Sequence, residues 1–222
     1  MSAELEPAPI LDDIVELAAS RRIPVNEVGR SKFDALTLTD ASQGVLARAA
    51  PLVETELTEL ISPPNGATPL LVVVDGVTDP GNLGALLRSV EGAGATGVIL
   101  PRHRAVHISP TATKTAAGAI EYLPMTLVGG LPAALAELAA AHVWIVGLDG
   151  DAEESIHDLR VADEPVALVL GSEGAGLSRL VRQRCDVIAS IPMRGRLNSL
   201  NVGAAGAIAC FELARLRHGS PS

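Results

Sequence analysis

The stretch Val166–Ala207 begins VALVLGSEGAG, continues LSRLVRQRCDVIASIPM and ends RGRLNSLNVGAAGA. Val166–Leu170 is a short apolar run rich in β-branched residues, the pattern of a strand buried on both faces. Gly171, Gly174 and Gly176 interrupt it, and glycine lets a backbone turn with positive φ or approach a ligand closely. A second apolar run, Val187–Ile191, ends at Pro192. Two arginines, Arg194 and Arg196, and a polar cluster, Asn198, Ser199 and Asn201, then lead into a helix expected over Ser199–Arg217 whose first turns, Gly203–Ala207, are all small. Two strands thus each run into a ligand-type loop, and open α/β sheets bind ligands at the carboxyl ends of their strands. The glycine order is G-x-x-G-x-G, not the G-x-G-x-x-G of dinucleotide folds. A small-molecule nucleotide-binding α/β protein therefore remains only as an alternative.

Outward from this stretch, the same alternation continues. Strands are expected at Leu70–Asp75, Gly97–Leu100, Leu123–Leu127 and Val143–Leu148, and helices at Leu83–Ala93, from Ser109–Pro110 onward, at Leu131–Ala141 and at Leu177–Gln183. Alternating strands and helices imply α/β architecture, with a mostly parallel sheet and helices on both faces. Ser109 before Pro110 is a capping residue followed by proline at the first helical position. An acidic loop, Asp149–Glu154, follows the strand at Val143–Leu148. The Pro/Gly-rich run Leu60–Pro69 punctuates the chain, which divides it into an N-terminal segment over 1–60, a linker over 61–69 and a main domain over 70–222. In the N-terminal segment, helices are expected at Ile10–Ala19 and Ser31–Leu36, and strands at Pro24–Val28 and Gln43–Ala47.

Composition limits the function. The 222 residues are 48% hydrophobic but only 2% aromatic, so the core is built from aliphatic side chains. Long apolar runs are broken before about 18 residues, and the N-terminus MSAELEPAPI has no basic and apolar signal regions. Two cysteines, Cys185 and Cys210, with no C-x-x-C spacing argue against a disulfide framework or a zinc site. The chain reads as cytoplasmic, with no membrane partner and no metal. The net charge of −9 runs against nucleic-acid binding. Its distribution softens this, for residues 1–60 carry −6 of it and residues 61–222 only −3. Arg102, Arg104, Arg179, Arg182, Arg184, Arg194 and Arg196 offer a local basic rim.

LGSEGAGLS at Leu170–Ser178, IPMRG at Ile191–Gly195 and SLNVGAA at Ser199–Ala205 resemble the second and third motifs of the SpoU/TrmH branch of the SPOUT RNA ribose-2′-O-methyltransferases. DPGNLGALLR at Asp79–Arg88 is similar to the first motif. The bacterial 23S rRNA guanosine-2′-O-methyltransferases are the most similar group. The resemblance implies a deep trefoil knot at the C-terminus, S-adenosyl-L-methionine as cofactor, RNA as partner (rRNA before tRNA) and a homodimer packed through the last helix. It also implies that Ile10–Pro51 is the latter half of an L30e-like substrate-binding domain, with Ser42–Gln43–Gly44 at its H-Q-G element and Met1 falling within the domain.

Residue by residue, the resemblance puts the cofactor on Gly147, Leu148, Leu170, Gly171, Glu173, Gly174, Ile191, Met193 and Leu200. The substrate side falls on Asn82, Arg88, Ser199 and Asn201. From the residues alone, Asn82, Ser199 and Asn201 read equally as helix caps, and Met193 and Leu200 as core packing. Arg88 follows Asn82 on the same helix, within reach of one pocket. Glu91 and Glu121 match charged positions of the family, where an internal ion pair is as good a reading as catalysis. His107 and Lys114 match a segment near the RNA entrance. Gly203 stands where the family has serine. The alternatives left open are a tRNA-directed enzyme and an RNA-binding or ribosome-assembly protein that keeps the fold without turnover.

Overall fold

The computed structural model describes residues 1–38, 42–103, 108–197 and 199–218. Arg104, His107 and Asn198, three of the residues singled out above, lie outside them. The chain divides into two units, Met1–Leu52 and Val53–Ser222.

The second unit is built on strands β1 (Leu70–Val74), β2 (Gly97–Pro101), β3 (Met125–Val128), β4 (Trp144–Leu148), β5 (Glu154–Ser155), β6 (Val166–Leu170) and β7 (Val187–Ser190). They form one sheet in the order β3-β2-β1-β6-β4-β7-β5, and every pair is parallel. The two continuous apolar runs, LLVVV and VALVL, become adjacent central strands in which every residue is buried. Their register, Leu70 opposite Val166 through Val74 opposite Leu170, gives each strand a partner on both edges and a core on both faces.

Side chains alternate between two cores as strand geometry requires. Leu70, Val72, Val74, Val166, Leu168 and Leu170 point to one face, which is covered by α4 (Pro80–Gly92), α5 (Pro110–Ala116) and α8 (Val202–His218). Leu71, Val73, Ala167 and Val169 point to the other, under α3 (Leu57–Ile61), α6 (Leu131–Ala140) and α7 (Arg179–Arg182). The helices lie close to the sheet where glycine permits it. A Cβ on Gly206 of α8 would sit 2.2 Å from Leu86 Cδ1 and 2.8 Å from Leu170 Cδ1. The far end of α8 is fastened by Arg217. Its guanidinium donates to four carbonyls, those of Thr68, Pro69, Ala162 and Glu164. Half burial of that group lowers its pKa from the ordinary arginine value.

Several expected boundaries move for local reasons. The division between units falls at Leu52/Val53, ahead of the Leu60–Pro69 linker, because Leu57, Leu60 and Ile61 pack on the sheet. The last helix starts at Val202 rather than Ser199, with Asn201 as its cap. The helix after β1 starts at Pro80, ahead of Leu83, because Asp79 caps it and Pro80 suits the first turn. Ser109 caps α5 as expected, its Oγ accepting from the Ala112 N–H.

The first unit contains α1 (Pro9–Ser20) and α2 (Arg30–Leu36) around buried Ala18 and Phe33. The strands expected at Pro24–Val28 and Gln43–Ala47 do not form. Val28 makes a single parallel bridge to Ser2, and the Ser2 N–H donates to the Gly44 carbonyl at 2.8 Å. Gly44 has φ +81° and leaves no room for a Cβ beside Leu5. Among the described residues, no helix is long and apolar enough to cross a membrane.

Candidate active site

The loops that leave the carboxyl ends of β4, β6 and β7 border a cleft of about 440 Å³, a volume within the usual range for small-molecule sites. The loop after β6 is shaped by its glycines. Ser172 and Gly176 exchange backbone hydrogen bonds at 3.1 and 2.9 Å, which folds residues 172–176 into a tight ring. Gly174 and Gly176 turn with φ of +81° and +65°. Gly171 has a different role: a Cβ there would lie 2.2 Å from the Gly176 carbonyl carbon and 2.5 Å from the Leu177 nitrogen, so only glycine lets the ring close. Asp75 at the end of β1 then holds the loop's exit, accepting from the Ser178 N–H at 2.7 Å.

The expected cofactor residues Leu148, Leu170, Gly171, Glu173, Gly174, Ile191, Met193 and Leu200 all line this cleft, together with Ser199 from the substrate group. Gly147 does not. It is buried behind the cleft, where a Cβ would meet Leu177, Cys185 and Ile188 within 3 Å. The cleft is also lined by Gly176 of the glycine loop, by Asp149, Gly150 and Asp151 of the acidic loop, and by Ser172, Ala175, Val202 and Ala205, none of which the sequence assigned to the cofactor. Their position directly after a strand or in the first turn of α8 was the available signal.

At one end of the cleft three motifs meet in a hydrogen-bonded junction. Asp79, the cap of α4, accepts from the Asn82 N–H at 2.6 Å, so Asn82 is not itself the cap and its amide is free for other work. That amide donates to Glu173 Oε1 at 2.9 Å. Asn201 has both of its possible roles. Its Oδ1 accepts from the Gly203 and Ala204 N–H groups as the cap of α8, and its Nδ2 donates to Asn82 Oδ1 at 2.7 Å and to Glu173 Oε1 at 2.9 Å. The cap bonds fix which end of the Asn201 amide is nitrogen. The Val202 N–H, at 3.4 Å, also approaches Glu173 Oε1, so a carboxylate stands at a helix N-terminus, where the helix dipole favours negative charge. Gly203 packs α8 onto α4: a Cβ there would lie 3.4 Å from Ala85 Cβ and 3.1 Å from Asn201 Oδ1.

Arg88 is not in the cleft. It is exposed on α4 and has no hydrogen-bond or ion-pair partner among the described residues. Of the expected basic rim, Arg102 is paired with Glu54 and Arg182 with Asp149. Arg179, Arg184, Arg194 and Arg196 are exposed without partners among the described residues. Glu91 and Glu121 form no ion pair among those residues. Burial pushes the Cys185 thiol up to about 11 and the Cys210 thiol up to about 12, so neither is a thiolate nucleophile near neutral pH. Among the described residues, no group of three or more His, Cys, Asp or Glu side chains is arranged to hold a metal ion.

Comparison with known proteins gives the family. Residues 69–211 match the SpoU rRNA Methylase family, and residues 4–54 match the family described as RNA 2'-O ribose methyltransferase substrate binding. The 23S rRNA (guanosine-2'-O-)-methyltransferase RlmB of Haemophilus influenzae is 41% identical over 216 residues, 96% of this chain and 85% of that protein. The Xylella fastidiosa RlmB is 44% identical over 208 residues, 92% of this chain and 83% of its own length. Among solved structures, the SpoU methyltransferase AviRb from Streptomyces viridochromogenes in complex with AdoMet superposes with a TM-score of 0.77 at 26% identity, over 98% of this chain and 81% of that one. An AdoMet-bound rRNA methyltransferase from Sinorhizobium meliloti gives 0.76 at 26% identity, over 96% and 79%. With its glycine-ringed cleft, its three-motif junction and a family match across most of the larger unit, this chain belongs to the SpoU rRNA methylase family.

Proposed function

We propose that the chain transfers a methyl group from S-adenosyl-L-methionine to the ribose 2′-hydroxyl of a guanosine in 23S rRNA. The observation that carries this reading is the junction of Asn82, Glu173 and Asn201 at the edge of the glycine-ringed cleft. The residues present fit the cofactor. Gly174 and Gly176 leave backbone open on the ring that Gly171 allows to close, and Leu148, Leu170, Ile191, Met193 and Leu200 supply apolar walls for a flat base. When bound, S-adenosyl-L-methionine supplies an electrophilic methyl group on its sulfonium sulfur.

The chain's own residues then position and discharge. Asn82 and Asn201, each locked by the other and by Glu173, hold a fixed polar edge against which a ribose can be oriented, and fixed orientation supplies much of the rate in a transfer of this kind. Ser199 lies exposed on the same cleft and offers a hydroxyl to that edge. Arg88 acts as a cation, because guanidinium stays protonated at any working pH and is a poor base. Exposed and unpaired among the described residues, it grips an RNA phosphate and stabilises alkoxide charge as the hydroxyl loses its proton to that phosphate or to water. Arg179, Arg184, Arg194 and Arg196 extend the phosphate-binding surface of an otherwise acidic protein.

The rest of the reading concerns assembly. The first unit, matched to a substrate-binding family, is taken as L30e-like and as the RNA-docking part. A trefoil knot at the C-terminus is supported by the chain path: β6 inserts between β1 and β4, both laid down earlier, and α8 returns to pack on α4 and β6. A homodimer through α8 is supported by an exposed stripe at i, i+4, i+7, namely Ala204, Ile208 and Phe211, of which Ile208 is 40% and Phe211 53% exposed. A cytoplasmic location goes with an rRNA substrate in this reading.

The test is transfer of tritiated methyl from S-adenosyl-L-methionine to purified 23S rRNA and to tRNA, with Arg88→Ala beside the wild type. Label in 23S rRNA that is lost in the variant supports the reading. Label in tRNA alone overturns the substrate, and cofactor binding without transfer to either RNA overturns the enzyme in favour of an RNA-binding protein.

A further inference from the structure

The cleft has a second polar feature, away from the three-motif junction. Glu173 follows β6, on the side of α4 and α8. Asp149 follows β4, on the side of β7, to which it is tied by its backbone N–H donating to the Ala189 carbonyl at 2.9 Å. Its side chain is only 18% exposed and is held at both oxygens. Oδ1 accepts from the Asp151 N–H at 3.0 Å, and Oδ2 accepts from Nη1 of Arg182 on α7. A carboxylate set among Leu148, Ile191 and Leu200 is costly to bury without such partners. Arg182 makes it affordable and fixes its orientation. Each carboxylate oxygen has a second acceptor site, so two remain for a ligand. The sulfonium carries two arms, the adenosyl group and the amino-acid chain. The amino-acid end has a carboxylate of its own, which a fixed carboxylate repels, whereas the adenosyl group has a flat base for the apolar walls and, beside it, a vicinal diol with two O–H donors. Two fixed acceptors on one carboxylate match two adjacent hydroxyls.

We propose that Asp149 reads the ribose hydroxyls of the cofactor's adenosyl group and that Arg182 is its positioning residue. The proposal rests on the cofactor reading given above. It concerns two residues that neither the motifs nor the apolar pattern singled out as a pair. Asp149 touches the ligand, and Arg182 acts only through Asp149.

The probes are S-adenosylhomocysteine and 5′-methylthioadenosine, which share the adenosyl ribose while the second lacks the amino-acid end. Binding is measured by titration calorimetry on the full chain. Asp149→Asn, nearly isosteric, is expected to weaken both ligands about tenfold, the low end for a hydrogen bond to a charged group. Arg182→Gln is expected to weaken both by a smaller factor, Arg182→Lys to recover most of that loss, and the double variant to be no worse than Asp149→Asn alone. Because Arg182 lies on a different element, its series stands even where Asp149→Asn disturbs folding. Unchanged affinities in Asp149→Asn with a wild type that binds both ligands overturn the assignment while leaving the cofactor reading intact. Loss confined to S-adenosylhomocysteine overturns it in favour of contact with the amino-acid end. Failure of the wild type to bind either ligand overturns the cofactor reading itself.

Discussion

Asn201 Nδ2 donates to Asn82 Oδ1 at 2.7 Å, a contact between residues 119 positions apart. The same Asn201 caps α8 through its Oδ1, so one side chain both starts a helix and ties the third motif to the first. The two duties can be separated. Serine caps a helix as well as asparagine but is too short to reach Asn82 and Glu173. Asn201→Ser is therefore expected to keep the thermal midpoint within a few degrees of wild type while methyl transfer falls at least about tenfold, the loss of charge-assisted bonds in a positioned site. Asn201→Ala loses the cap as well, a further ~1 kcal/mol of stability. Calorimetric melting beside single-turnover methyl transfer reads both quantities. Parallel losses of rate and stability in Asn201→Ser would show that the side chain is only a cap.

Gly171 makes a prediction of the opposite kind, since it makes no side-chain contact at all. A Cβ there would stand 2.2 Å from backbone carbon of Gly176, and backbone cannot step aside as a flexible side chain can. Gly171→Ala must open the ring of residues 172–176. Overpacking of this sort costs about 1–3 kcal/mol. It is also expected to weaken S-adenosylhomocysteine binding by more than about tenfold, because the ring is the cleft's wall. Isothermal titration with the folded variant checks this. Tight binding retained by Gly171→Ala would mean that the ring is not part of the cofactor site.

How much of this was legible in the sequence depends on the range of the interaction. Val166–Leu170 and Leu70–Val74 were readable because burial on both faces demands an unbroken apolar run, and the loop after β6 because only glycine closes a ring that tight. Asn82 is open to a cap reading beside its substrate role, and local sequence does not separate the two; Asp79, three residues earlier and followed by proline, takes the cap and leaves the Asn82 amide to Glu173. Strands at Pro24–Val28 and Gln43–Ala47 were expected from local β-branched content, yet a strand needs a partner edge, and the described part of the first unit gives only a bridge at Val28. The Asp149–Arg182 pair spans 33 residues and joins a loop to a short helix. No periodicity encodes such a contact, so it waits for the fold.

Acid stability follows from Glu212 on α8. Its carboxylate accepts from Arg215 Nη2 at 2.7 Å and lies 3.1 Å from His157 Nδ1. The Arg215 bond first, and then His157, outweigh partial burial and hold the carboxyl at about 2, below its ordinary 4.5. A carboxyl depressed in the folded state stabilises the fold fully above its unfolded pKa, and that contribution disappears as pH falls through the unfolded value toward the folded one. Arg215 is half exposed, which screens the pair and keeps the effect to about 1 kcal/mol or less. The thermal midpoint of wild type is therefore expected to exceed that of Glu212→Gln near neutrality, with the gap closing from about pH 4.5 down to about pH 2. A gap that is constant across that range would rule out linkage through this carboxyl.

The α8 stripe gives the last prediction. Ile208 and Phe211 are exposed one turn apart on a helix whose other faces are buried against α4 and β6. Phe211 also borders α4, where a Cβ on Gly92 would lie 3.7 Å from Phe211 Cζ, and Arg88 is one helical turn before Gly92. A partner seated on this stripe would therefore meet Arg88 at the rim of the contact. Replacing Phe211 with aspartate places a charge in the centre of an apolar contact, which costs several kcal/mol of association when the site is buried but little when it is already in water. Light scattering at micromolar concentration is expected to show a dimer for wild type and a monomer for Phe211→Asp, with the far-ultraviolet circular dichroism unchanged. Methyl transfer is expected to fall with dimer content as protein is diluted, and Arg88→Ala to lower transfer without altering the dimer. A wild-type monomer, or a Phe211→Asp variant that stays dimeric, would place the interface elsewhere and leave Arg88 to act within its own subunit.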